Sequence, residues 1–312
     1  MNSQSILPGT TASHLSSPDR NNWRQWIRKS NISAHLPLLL VAFIVLLPVV
    51  WIVSTSFKNA QEFYTHSANL IPINPSLVNF EYMFTAIQEL PTYMWNSIVL
   101  ATGTTVLQVL LASLAGYAFA RMYFRGRDVI FIALVVSMFI PRGGGLMALY
   151  ELMNFLHLRN SLFGLILLFA SGLPIPIFIM RQAFLAIPKE IEESALIDGA
   201  TWLQVFWKVA LPLAASAMVV VATLAFVGVW SDFLVTYTMI DKNDQLTISV
   251  GVQKVLATTY ESAVALPHLR GKFANEAADA AMLLFSSLPV VFIYAVLQRW
   301  FMRGLTAGAV KF

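Results

Sequence analysis

Apolar and polar positions along this chain fall into long blocks, with little short-period alternation. Leu36–Phe57 runs 22 residues without a charge, and Leu90–Ala120 runs 31. Ser161–Met180, Val209–Ser231 and Ala280–Gln298 are also charge-free, and Val129–Leu149 is interrupted only by Arg142. A helix needs roughly 20 apolar residues to cross the hydrocarbon core, where every backbone polar group must be bonded within its own segment. The pattern predicts an all-α, polytopic membrane protein with six transmembrane helices. Leu36–Phe57 begins too late and runs too long for a signal sequence, so it reads as a retained first span.

The polar blocks set the organisation. Residues 1–30 form a tail in which Trp23 and Trp26 lie beside a basic cluster, residues 31–300 form the transmembrane domain, and residues 301–312 form a second tail. Between spans lie connections at 58–92, 143–159 and 241–276 on one side, and a loop at 181–208 on the other. Pro72, Pro75 and Pro91 argue against a long regular helix in the first connection. Leu146, Leu149, Leu152, Met153 and Leu156 recur at helical spacing in the second. Thirteen of the 20 Lys and Arg residues fall on the side of both tails and the 181–208 loop. The positive-inside rule therefore places both termini in the cytoplasm and the other three connections outside.

The 181–208 loop carries the densest local signals. Pro188 suits a helix start, and Glu190, Glu192 and Glu193 fall in the first turns, where the helix dipole favours carboxylates. Ile191, Ala195 and Leu196 share a face. Gly199, after Asp198, can take the left-handed conformation that ends a helix sharply. A second helix from about Thr201 carries Leu203, Phe206 and Trp207 before Pro212 opens the next span. The result is a helix–turn–helix knob held at the membrane surface. It is either a structured loop with ordinary caps or a lever that a second protein grips.

Composition narrows the function classes. Apolar residues make up 57 % of the chain and charged ones 12 %, against about 25 % charged in a soluble domain. The formal charge of +4 is accounted for by topology and does not point to nucleic acid. There is no cysteine, which excludes thiolate chemistry, and the five histidines lie in tails, loops or span edges with no metal-binding pattern. No Gly-rich loop ends in Gly-Lys-Ser/Thr, so the chain should not bind ATP itself, and no Ser/His pair or intramembrane aspartate pair suits hydrolysis.

An ionisable group inside a span faces protein or water. Asp232 is such a group, and either lines a polar path or makes a structural hydrogen bond. Arg142 either snorkels to the headgroups or contacts a solute or its carrier. Tyr117 and Phe119 are further path candidates, Pro174 and Pro176 should kink the fourth span, and Gly103 and Gly116 should allow close helix packing. A secondary carrier would share this hydropathy, but no inverted repeat is visible.

Glu193-Ser194-Ala195, then Gly199, then Val209, Ala210, Leu211 and Pro212 resemble the EAA loop of binding-protein-dependent ATP-binding-cassette importers. Ser194 and Val209 depart from the family pattern by small changes in volume. Asp198-Gly199-Ala200, the segment Trp230 to Leu234 and the tail from Gln298 to Lys311 are similar to the carbohydrate branch, in particular the maltose-type second permease. The Gly143-Gly144-Gly145 run and the long 241–276 connection fit that type less well and suggest a larger or charged saccharide. The resemblance implies a type I ABC importer permease fold in the bacterial cytoplasmic (inner) membrane. It also implies a second homologous permease, a dimer of ABC ATPases holding ATP and magnesium, and an extracytoplasmic solute-binding protein. Glu193, Ser194, Ala195, Asp198, Gly199, Ala200, Leu211 and Pro212 would couple the chain to the ATPase. Arg303, Gly304, Gly308 and Lys311 would lie at the same interface.

Overall fold

The computed structural model describes residues 32–140, 145–254, 268–269 and 271–309, with backbone alone at 32–34 and 299–309. Every regular element among the described residues is helical. The chain divides into two compact units, 1–51 and 52–312. The first holds most of α1 (Ile32–Ser56), which is helical through Pro37 and Pro48 and apolar on every side. A helix with no polar stripe belongs in a membrane or a large core.

In the second unit α2 (Ala60–Thr65) and α3 (Val78–Ala86) are short, as the prolines of this connection require. The intervening backbone is not loose. Lys58 is fully buried, and its Nζ donates to the carbonyls of Asn69 at 2.6 Å and Ser67 at 3.0 Å. The buried Glu62 carboxylate accepts from the N–H groups of Ile73 and Asn74, and the Asn79 amide donates to the carbonyls of Ser56 and Lys58 at 2.8 Å each. Removing the ammonium takes a charged donor from these carbonyls, and a hydrogen bond to a charged group contributes about 1.5–3 kcal/mol. Lys58→Ala is therefore expected to lower the unfolding temperature of the purified protein by several degrees, whereas a surface change such as Lys242→Ala should not.

α4 (Leu90–Arg121) is the central helix, at 32 residues. Pro91 sits in its first turn, where the missing N–H is harmless. Both predicted packing glycines work as expected: a Cβ at Gly116 would sit 2.7 Å from Met180 Cβ, and one at Gly103 would sit 2.8 Å from Ile166 Cδ1. Those contacts come from α7 (Leu162–Ala170) and α8 (Pro174–Ala186), which follow α5 (Arg127–Ser137) and α6 (Leu146–Phe155). α7 and α8 form one run bent by 52°. Pro174 and Pro176 lack the N–H groups that would carry the helix through Ser171, Gly172 and Leu173.

α9 (Lys189–Ile197) and α10 (Trp202–Val205) form the knob, and a π-helical turn, Phe206–Ala210, leads into α11 (Leu211–Leu213). α12 (Ala215–Trp230) leaves that run at 75° and stops before α13 (Leu234–Met239). A 3-10 turn (Asn243–Gln245) and a helix from residue 248 precede α14 (Asn275–Ala309). Much of this last connection is core. Leu246, Ile248 and Val250 are buried, and Asn96 and Ser97 of α4 bond its backbone at Asp244, Leu246 and Ile248.

The spans are counted differently from the hydropathy reading. Three helices are long and apolar enough to cross a membrane, and each bent pair can supply one more, giving up to five among the described residues. The expected third span appears as α5, 11 residues or about 16 Å long, against a hydrocarbon core of about 30 Å. Pro141 and the glycines that follow interrupt the apolar run, and 141–144 lie outside the described residues.

Candidate functional site

The knob is built as its sequence implies. Pro188 caps α9, and Glu190 and Glu192 occupy its first turn. At its end the Ala200 N–H donates to the Ala195 carbonyl and the Gly199 N–H to the Leu196 carbonyl, with Gly199 at φ 88°. This Schellman closure needs a left-handed residue, which glycine accepts without strain. Thr201 then opens α10 with a capping box, its Oγ1 accepting from the Gln204 N–H while the Gln204 side chain accepts from the Thr201 N–H. The Leu211 N–H reaches back to the Phe206 carbonyl, five residues away. That widened turn accommodates Pro212, whose ring would otherwise press on the carbonyl four residues before it.

One acidic residue was not singled out by the sequence. Glu192 is buried, and its Oε1 lies 2.8 Å from Arg121 Nε at the last turn of α4. Tyr117 donates its hydroxyl to Glu192 Oε2 at 3.0 Å, and Arg121 Nη2 donates to the Ile187 carbonyl at 2.7 Å. The Tyr117 ring packs edge-on to Phe184 and tilted against Phe206, so α4, α8 and the π-helical turn close around the ion pair. The inner face of α9 is thus Glu192, with Ala195 and Leu196 half-buried, and Ile191 is exposed. Ala195 and Leu196 share the inner face as predicted, with Glu192 there in place of Ile191.

The outer surface mixes large apolar side chains with polar and acidic ones. Ile197 is 85 % exposed, Leu203 65 % and Trp202 56 %, with the exposed Glu193, Ser194, Asp198 and Gly199 beside them. Ala200 and Leu211 are half-buried and Pro212 is exposed. Large exposed side chains at the corner of a rigid turn suit capture by a concave partner surface. Arg303, Gly304 and Gly308 lie on the last turns of α14, whose side chains are not described, and Lys311 lies outside the described residues, as does Arg142.

A second locus forms where two helices break. Asp232, between α12 and α13, lines a cavity of about 260 Å³ with Gln108 of α4 and Gly172 from the α7–α8 bend. Asp232 Oδ1 accepts from the Thr236 N–H at 3.0 Å and its Oγ1 at 3.2 Å. Each break also frees a carbonyl: Gly172 accepts from Gln108 Nε2 at 2.7 Å and Asp232 from Ser249 Oγ at 2.7 Å. Larger cavities, of about 410 and 580 Å³, adjoin the two breaks at Ser231 and Ser171. One Asp232 oxygen thus serves its own local turn, with no side-chain bond to another span among the described residues, and the residue lines the cavity. Tyr117 and Phe119 sit away from this cavity. Phe119 is buried against Phe124 and Phe131.

The family model for the binding-protein-dependent transport system inner membrane component matches residues 28–307. The arabinooligosaccharides transport system permease protein AraQ of Halalkalibacterium halodurans is 31 % identical, over 87 % of this chain and 93 % of its own. The maltose/maltodextrin transport system permease protein MalG of Vibrio vulnificus is 32 % identical, over 89 % of this chain and 95 % of its own. Among solved structures, a chain of a bacterial ABC transporter involved in the import of the acidic polysaccharide alginate superposes with a TM-score of 0.77 at 24 % identity. That superposition covers 91 % of this chain and 99 % of that one.

Proposed function

The chain belongs to the family of binding-protein-dependent transport system inner membrane components, and from that membership we propose that it is a saccharide-importing permease. It is a transporter subunit, with ATP hydrolysis carried by a separate chain. The cargo class follows the names of its relatives, which are permeases for arabinooligosaccharides and maltodextrins.

In this reading the chain crosses the bacterial cytoplasmic membrane six times with both termini inside, the 127–155 region completing the third crossing. It pairs with a second homologous permease above a dimer of ATPase subunits, which bind ATP and magnesium, and receives its cargo from an extracytoplasmic binding protein. Lys and Arg asymmetry supports the orientation. Glu193, Ser194, Ala195, Asp198, Gly199 and Ala200 meet the ATPase together with the tail residues Arg303, Gly304, Gly308 and Lys311. Leu211 and Pro212 join the knob to α12.

The observation that carries the coupling role is the buried Arg121–Glu192 pair behind a knob with exposed apolar side chains. A surface that another protein moves is bonded directly to α4, the 32-residue central helix of the second unit. ATP-driven closure of the ATPase pair would displace α9, and the ion pair would pass that displacement to α4, opening the path outward. Hydrolysis would reverse it, in two-state alternating access.

Affinity purification of the tagged chain from gently solubilised native membranes, with mass spectrometry, tests this. An ABC ATPase and a second permease should be recovered in comparable amounts. A chain that purifies alone, under conditions that preserve such complexes, contradicts it.

A further inference from the structure

We infer that this chain's share of the path accepts an uncharged, hydroxyl-rich saccharide and turns away one bearing carboxylates. This rests on the carbohydrate reading above and adds the charge of the cargo, which the comparisons leave open. One relative is named for maltodextrin, and a solved neighbour of the same fold is described as importing an acidic polysaccharide.

The cavities at the two helix breaks carry one ionisable side chain among the described residues, the carboxylate of Asp232. No lysine or arginine among the described residues lines them. Their hydroxyls are also committed in one direction. Ser137, Ser171, Ser286 and Ser287 each donate to the carbonyl three residues earlier, at 2.6 to 3.0 Å. Ser231 donates to Val227 and Ser249 to the carbonyl of Asp232. Gln108 spends an amide proton on Gly172.

A serine whose proton is spent on the backbone still offers lone pairs. The serines and Asp232 therefore act as acceptors, and the donors of these walls are amide protons of Gln108 and Gln253, so a ligand that brings its own protons fits them best. A sugar hydroxyl brings one, and its C–H face can lie against Phe169 or Trp230, which line the same cavities. A carboxylate brings none and would face both the serine lone pairs and the Asp232 charge in a low-dielectric setting, with no lysine or arginine among the described lining residues to neutralise it.

The test uses the complete complex with its binding protein, reconstituted in proteoliposomes. Neutral tetrasaccharides of glucose, arabinose and galactose units are compared with tetramers of mannuronate and galacturonate. At least one neutral tetrasaccharide should enter tenfold faster than either uronate, and Asp232→Asn should slow that entry at least tenfold. Asn retains an acceptor for Thr236, so the local turn is kept, and Thr236→Val controls for damage to the turn alone. Faster uronate entry overturns the charge assignment and leaves the carbohydrate reading standing. Entry of none of the five overturns both. Undiminished entry in both Asp232→Asn and Asp232→Ala removes the carboxylate from the path, and the inference with it.

Discussion

Glu192→Ala is expected to reduce ATP-driven uptake at least a hundredfold. Glu192 and Arg121 side chains are 4 % and 5 % exposed, so deleting the carboxylate leaves a largely buried guanidinium with the Ile187 carbonyl but no countercharge. Breaking a buried pair from one side destabilises by about 3–5 kcal/mol, far more than an exposed pair is worth. The Tyr117 hydroxyl loses its acceptor as well. Two further variants separate coupling from folding. Tyr117→Phe removes one hydrogen bond, keeps the ring contacts with Phe184 and Phe206, and should lose about 1 kcal/mol, or roughly fivefold in uptake. Glu192→Gln keeps an acceptor for Arg121 without the charge and should fall between the two. Equal uptake in all three variants would show that the pair transmits nothing. The readouts are uptake and unfolding temperature on the same preparations.

Gly199→Val should uncouple hydrolysis from uptake, lowering saccharide moved per ATP at least tenfold while the chain still reaches the membrane. A Cβ at Gly199 would meet no atom within 4 Å, so the effect does not come from crowding. It comes from φ 88°, where an ordinary residue is strained by about 1–2 kcal/mol and a β-branched one by more. Relief of that strain opens the Schellman closure and tilts α10, with Trp202 and Leu203, away from α9. Asn tolerates the left-handed region, so Gly199→Asn should retain most activity. If Val and Asn behave alike, the turn conformation is not what matters. Glu193→Lys complements the pair: it alters the exposed face without touching the turn and should weaken recovery of the ATPase.

The knob was readable because its determinants are local. Pro188, the first-turn glutamates, Gly199 and the Thr201 cap act within a few residues of one another, and each has one favoured conformational use. The span-4 bend was readable for the same reason, since Pro174 and Pro176 cannot continue the bonding of the preceding turn. Glu192 was missed because its partner is 71 residues away in sequence and because the phase of a nine-residue helix cannot be fixed from two or three apolar positions. Lys58 was read as a topology charge, yet its ammonium ends in a cage of carbonyls that only the folded 58–69 backbone creates. The 241–276 connection was read only as an external loop, whereas apolar residues in its first part, Leu246, Ile248 and Val250, fill the core beside Asn96 and Ser97. The third apolar run does not appear as one long helix among the described residues, because composition over a window does not register Pro141 and Gly143, which interrupt it in the sequence.

ATP-dependent saccharide uptake in proteoliposomes, with and without the ATPase subunits, bears most directly on the central claim. The permease account predicts uptake only when both permeases, the ATPase pair and the binding protein are present, with hydrolysis in fixed proportion to saccharide moved. Uptake by this chain without the ATPase, driven by a proton or sodium gradient, would contradict it and make the protein a secondary carrier.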